Sequence, residues 1–118
     1  MVAPVVRQIN MAAPGALNTD VTLTDAQTTL TFQTLSRDNR LLDITNAVDP
    51  AAGLTYILKL VREGREIRRW TPAGLLTTVD IHRGFPIDLR AGQIQWVGQQ
   101  TLGGLAAQNY LATFFQDL

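Results

Sequence analysis

The only histidine of this 118-residue chain, His82, follows Asp80 by two residues, a spacing that puts both side chains on one face of an extended strand. A general base needs an orienting carboxylate of this kind, but also a nucleophile or substrate contact. One His beside one Asp does not make a catalytic site, and a polar pair at a strand end is the expected role. The single serine, Ser36, lies within the turn-forming run SRDNR, which argues against a serine hydrolase. There is no cysteine, so a thiol nucleophile, a disulfide framework, an iron–sulfur cluster and cysteine-based zinc sites are all excluded. The eight Asp and two Glu residues are scattered singly, without metal-ligand spacing. Loop carbonyls with Asp43, Asp49 and Asp80 are the remaining donors for calcium, and no metal is expected. Glu63 and Glu66 sit at a hairpin tip beside arginines that would depress their pKa values, unsuited to hold a proton at neutral pH. No phosphate-binding glycine loop or G-x-S-x-G string occurs. The residues predict no catalytic site, no enzyme and no cofactor.

Two other groups could bind rather than react. The stretch KLVREGREIRRW, residues 59–70, holds five of the ten basic residues. A nucleic-acid grip needs cations on one face with few acids among them. Here Arg62, Arg65, Arg68 and Arg69 alternate with Glu63 and Glu66, which disfavours a nucleic-acid partner and favours cross-strand or inter-subunit pairing with carboxylates. Trp70 and Trp96 could form a ligand platform for a sugar if either faces solvent; as core residues both would be buried.

The elements that position these groups read as strands. Threonine, valine, isoleucine and leucine fall in short runs separated by Gly, Pro, Asn and Asp, the spacing of a mostly β domain with about eight strands. Val2 to Ile9 is interrupted by Pro4, which suits an edge strand or an arm laid on a neighbour. Residues 11–20 are a loop or linker. Val21 to Thr24 is a strand, and Thr29 to Leu35 alternates with Leu30 and Phe32 inward. Leu41 to Thr45 follows, and residues 46–53 are a loop. LTYILKLV has Tyr56, Leu58 and Leu60 on one face. REGR is a tight turn around Gly64, and EIRRW returns as the partner strand. Ile67 and Trp70 have opposite parity, and a bulge at Arg68 or Arg69 would bring both inward and leave the arginines outside. TPAG is a turn, LLTTVDI a strand and HRGFP a break. IDLRAGQIQWVGQ gives a short strand, a turn and a strand with Ile94 and Trp96 inward. TLGGLAAQ is a loop with room for a helical turn. NYLATFFQ could be a strand or one and a half helical turns; a final strand beside the first is preferred.

The size fits one domain, divided as an arm and linker over 1–19 and a sandwich over 20–118. Hydrophobic residues make up 46% and charged residues 17%, the latter low enough to suggest that partners cover some surface. The formal net charge is zero, so electrostatic binding must come from local asymmetry. The first residues do not read as a signal peptide, and no apolar run reaches the roughly 20 residues needed to span a bilayer, so no membrane partner is expected.

The run PIDLRAGQIQW resembles the late hairpin of jelly-roll domains, with Ile87, Leu89, Ala91, Gly92, Ile94 and Trp96 at the recurring positions. With the neutral charge, the absence of cysteine and the proline-containing arm, the chain resembles small virion structural proteins of the capsid decoration or cement type. That resemblance implies a single antiparallel β-sandwich of jelly-roll type in a structural protein of the virion, made in the host cytoplasm. It also implies assembly with copies of itself, commonly as trimers, and attachment to a capsid protein. The residues expected to carry assembly are Val2, Val5, Val6 and Ile9 of the arm and Arg62, Arg65, Arg68 and Arg69 of the hairpin. The alternative reading is a carbohydrate- or receptor-binding module using Trp70 or Trp96.

Overall fold

The structure, a computed structural model, describes residues 4–46, 54–70, 80–82 and 86–116. Among these residues are eleven strands and no helix, in two antiparallel sheets. The first sheet holds β1 (Val5–Met11), β3 (Thr24–Asp25), β5 (Asn39–Asn46), β8 (Asp80–His82), β9 (Ile87–Leu89) and β11 (Gln108–Gln116). The second holds β2 (Asp20–Thr22), β4 (Gln33–Leu35), β6 (Thr55–Arg62), β7 (Arg65–Trp70) and β10 (Gly92–Leu102). In the first, β11 lies between β1 and β5, β3 flanks β1, and β8 and β9 share the far edge of β5. In the second, β10 carries β2 and β4 along one edge and β6 along the other, with β7 outside β6.

Alternation builds the core. Tyr56, Leu58 and Leu60 of β6 and Ile94 and Trp96 of β10 are buried, as are Ile9 and Met11 of β1 and Tyr110, Ala112 and Phe114 of β11. Side chains alternate across a strand, so each of these strands gives one face to the interior. Four pairings among the described residues carry a register shift, and those in β5 and β7, where two residues of one strand oppose a single step of the other, bear on the core and the hairpin. In β5 the pairing jumps from Asp43↔Thr113 to Leu41↔Phe114, leaving Leu42 as the extra residue. Leu41 and Ile44, three apart, are therefore both fully buried. In β7 the pairing jumps from Leu60↔Arg68 to Val61↔Glu66, leaving Ile67 as the extra residue.

Several sequence expectations change. The strand number is eleven among the described residues rather than about eight, because the long strands β5 and β10 each recruit two short ones along one edge. The separate arm and linker over 1–19 is corrected over Val5–Met11: this segment is β1, paired along its whole length with β11 from Val5↔Phe114 to Met11↔Gln108. Ile9 and Met11 anchor it in the core. The strand expected over 29–35 contracts to Gln33–Leu35, and Leu30 is exposed rather than inward. Thr29 takes a positive φ of 60°, and the backbone N–H of Asp25 donates to the Leu30 carbonyl, closing a turn there instead.

The run PIDLRAGQIQW is a corner, not a hairpin, since β9 pairs with β5 and β10 pairs in the other sheet. Gly92 turns it with a φ of 144°, a conformation reserved for glycine. The preferred final strand is found as β11 beside β1, and residues 103–107 form a loop without a helix. The tight turn is found too: Glu63 and Gly64 have φ of 49° and 78°, the signature of a type I′ hairpin. The loop over 47–53, the turn at 71–74, most of the strand 75–81 and the break at 83–85 lie outside the described residues.

Candidate functional site

The charges of the β6–β7 hairpin are sorted by its register. Directly opposed residues share a face, so Lys59 and Arg69 lie with Val61 and Glu66 on the outer face. There Lys59 Nζ is 3.0 Å from Asp20 Oδ1, and Arg69 Nη2 is 2.8 Å from Glu66 Oε1. Residues three apart on a regular strand face opposite ways; the bulge at Ile67 is what brings Glu66 and Arg69 together. The Arg69 guanidinium holds the Glu66 carboxyl below its usual value. Arg62, Arg65 and Arg68 have the inner-face parity of Leu58 and Leu60, with Arg65 and Arg68 exposed. The expectation that the bulge falls at Arg68 or Arg69 and leaves the arginines outside is therefore corrected. Ile67 itself is the extra residue and is 39% exposed, while Trp70 turns inward opposite Leu58.

Arg62 serves the corner. Its Nε and Nη2 donate to the carbonyls of Arg90 and Ala91 at 3.2 and 2.7 Å. Asp38 Oδ1 accepts the Ala91 N–H, and Glu63 Oε1 accepts the Gln93 N–H at 2.8 Å. Arg65, Arg68 and Arg90 meet no carboxylate within ion-pair distance among the described residues. Arg68 and Arg90 border a groove of about 460 Å³ between β7 and β9, the open flank of the sandwich, with Asp88 also on its rim.

The ligand platform does not form from Trp96, which is 2% exposed. Its ring stacks on Trp70 at 6.2 Å between centroids and meets Phe114 edge-on at 6.4 Å. Trp70 is half-buried and packed against the core, so the two indoles form one layered unit. Trp96 Nε1 donates to Gln33 Oε1 at 3.1 Å, which leads into a polar junction that sequence reasoning missed.

That junction centres on Asp25, whose side chain is 1% exposed. Its Oδ2 accepts from Arg7 Nη2 and Gln33 Nε2, each at 2.6 Å, and from Arg7 Nε at 3.2 Å. Its Oδ1 accepts the backbone N–H of Gln27 at 2.7 Å and of Thr28 at 3.2 Å. Burial pushes this carboxyl up, but the bonds from Gln33, Arg7, Gln27 and Thr28 together outweigh it and hold the pKa below the ordinary aspartate value. The network ties β1 and β3 of one sheet to β4 and β10 of the other. In the sequence Asp25 reads only as a turn residue, and no local pattern marks it as buried.

The assembly residues of β1 divide. Ile9 is 1% exposed and cannot meet a partner in the folded chain, so its place among them is corrected. Val5 and Val6 are 48% and 51% exposed. β3 covers β1 only at Ile9 and Asn10, which leaves the edge over Val5–Arg7 without a backbone partner among the described residues. Beside this edge is a cleft of about 370 Å³ bordered by Val5, Leu30, Phe32, Leu35 and Phe114. Val2 lies outside the described residues.

Asp80 and His82 are in β8, paired with Thr45 and Ile44 of β5, and their side chains lie outside the described residues, as does Asp49. No group of three metal-ligating side chains occurs among the described residues. Ser36 is exposed on the rim of the cleft. At the opposite end of the sandwich, Gln100 is fully buried and shapes the 103–106 loop. Its Nε2 donates to the carbonyls of Leu102 and Gly104, and its Oε1 accepts the Ala106 N–H. Nearby, Tyr56 Oη donates to the Ala106 carbonyl at 3.3 Å. The Tyr110 hydroxyl is buried without a hydrogen-bond partner among the described residues, and burial pushes its pKa up. No helix among the described residues is long and apolar enough to cross a membrane. Compared with known protein families, curated proteins and solved structures, the chain matches none of them.

Proposed function

We propose that this chain is a non-enzymatic structural protein, a sandwich of jelly-roll type that assembles with copies of itself and attaches to or builds a viral capsid. The observation that supports this reading is the open edge of β1 over Val5–Arg7, where two valines stand about half exposed beside an apolar cleft. An unpaired edge with apolar side chains is a template for another chain, and soluble proteins ordinarily blunt it. A second copy laid along this edge would cover Val5 and Val6 and reach the cleft.

The test is the mass of the assembled protein in solution. Sedimentation of the full chain is expected to give a species larger than the 13.0 kDa chain, with a trimer at three times that mass. The double substitution Val5→Asp and Val6→Asp is expected to return it to monomer with unchanged circular dichroism. Deletion should stop before Val5, because removing residues 1–10 would strip most of β1 from β11 and confound assembly with unfolding. A full chain that remains monomeric at every concentration would sink the reading.

A further inference from the structure

We propose that the groove between β7 and β9 is a docking site for an acidic, extended segment of a partner protein. This inference stands on a different face from the β1 edge and does not depend on self-assembly. It begins with the hairpin charges. The two acids that interleave with its arginines are turned away: Glu66 is held by Arg69 on the outer face, and Glu63 is turned onto the Gln93 N–H. Arg68 and Arg90 on the groove rim are left without a carboxylate among the described residues. Arg62, spent on the Arg90 and Ala91 carbonyls, still contributes its positive charge there.

The groove also has an apolar side. Ile87 and Leu89 are buried beneath it, and the bulge turns Ile67 out along its wall. Guanidinium groups beside the exposed Ile67 suit a chain that alternates carboxylates with apolar side chains, since arginine binds carboxylates bidentately. A polyphosphate gains nothing from Ile67 and brings an unbroken run of charge against Asp88, which is 91% exposed and 3.8 Å from Arg40, whereas an alternating peptide can set an apolar residue beside that carboxylate. Backbone pairing is not the means of docking. Among the described residues β7 is the last strand of its sheet, but the bulge at Ile67 interrupts its ladder, a device that guards edges against strand addition. Side chains therefore carry the recognition.

The experiment uses the full chain and a fluorescein-labelled peptide of about ten residues alternating Asp and Val, followed by anisotropy. A peptide alternating Lys and Val and an oligothymidine of about 20 nucleotides serve as competing probes. The Asp–Val peptide is expected to bind saturably and to weaken as salt rises from about 50 to about 300 mM. The double variant Arg68→Glu and Arg90→Glu is expected to lose about tenfold or more in affinity, while Arg37→Glu, at an exposed residue that does not line the groove, stays within about twofold. The milder pair Arg68→Gln and Arg90→Gln repeats the loss if charge reversal disturbs folding. Absence of saturable binding to the Asp–Val peptide, tighter binding of the oligothymidine, or an equal loss with Arg37→Glu would each overturn the site.

Discussion

Replacing Asp25 by Asn keeps the shape of the side chain and removes one acceptor, so it isolates what the buried carboxylate does. In the native protein one oxygen holds the N–H groups of Gln27 and Thr28 and the other holds Arg7 and Gln33. An asparagine that keeps its oxygen on the turn puts its NH2 against the Arg7 guanidinium and the Gln33 amide, donor facing donor. Reversing the asparagine moves the conflict to the turn. Rotating Gln33 to present its oxygen relieves the new asparagine, but leaves the Gln33 NH2 against the Trp96 indole N–H. Every arrangement leaves at least one buried donor unsatisfied, at about 1–3 kcal/mol, and forfeits charge-assisted bonds. Breaking a fully buried ion pair costs about 3–5 kcal/mol. Arg7 is 28% exposed and can turn toward water, so the expected loss is about 2–4 kcal/mol. At about 4 °C per kcal/mol for a chain of this size, the midpoint should fall by roughly 8–16 °C.

Urea unfolding at about pH 7, followed by tryptophan fluorescence, measures the difference. The pH dependence gives a second check. A carboxyl whose folded pKa is depressed contributes stability that is fully present above its unfolded value of about 3.9 and is lost as pH falls through the folded value. The gap between wild type and Asp25→Asn should therefore narrow toward about pH 2–3. A variant within about 0.5 kcal/mol of wild type at neutral pH, or a gap that does not shrink in acid, would refute the reasoning.

Tyr110→Phe removes a buried hydroxyl that has no partner among the described residues, so stability by urea unfolding should be unchanged or higher by about 1 kcal/mol. A loss of that size would mean that the hydroxyl is bonded in the folded protein. The glycines give a graded series in thermal melts. Gly92→Ala meets a φ of 144° and a Glu63 Oε1 only 2.7 Å from the new Cβ, and should cost about 1–3 kcal/mol. Gly64→Ala, at a φ of 78° in open space, should cost about 1 kcal/mol, and Gly104→Ala about 0.5 kcal/mol or less. A reversed order would contradict the corner geometry.

The parts of the fold that could be read in the sequence are those where local pattern and tertiary role agree. The alternation of Tyr56, Leu58 and Leu60, the REGR turn and the inward Ile94 and Trp96 are all strictly periodic, and β6, the hairpin and β10 follow them. Departures from the period were legible only in part: the opposite parity of Ile67 and Trp70 announces a bulge in β7 but not its position. A bulge changes which residues share a face without changing composition, so the extra residue falls at Ile67 rather than Arg68 or Arg69, and Leu42 gives no sign of its own. The five short strands β2, β3, β4, β8 and β9 carry too few residues for a pattern and exist because a longer strand's edge is free to take them. The binding surfaces fared likewise. The concentration of basic residues is visible in the chain, but which cations are occupied depends on partners such as Asp20 for Lys59 and the carbonyls of Arg90 and Ala91 for Arg62, brought close only by the sheets.

The position of β11 between β1 and β5 has a consequence for how the chain is made. Synthesis delivers β1 first, yet its only long neighbour is supplied by residues 108–116. Until those residues leave the ribosome, the first sheet lacks its middle, and Ile9, Met11, Leu41 and Ile44 have no central strand to close over them. Closure of so long a chain loop is slow and leaves apolar edges open meanwhile. A ribosome stalled before residue 108 should therefore present a protease-sensitive nascent chain. Release of the remaining residues should convert it to the resistant form in one step.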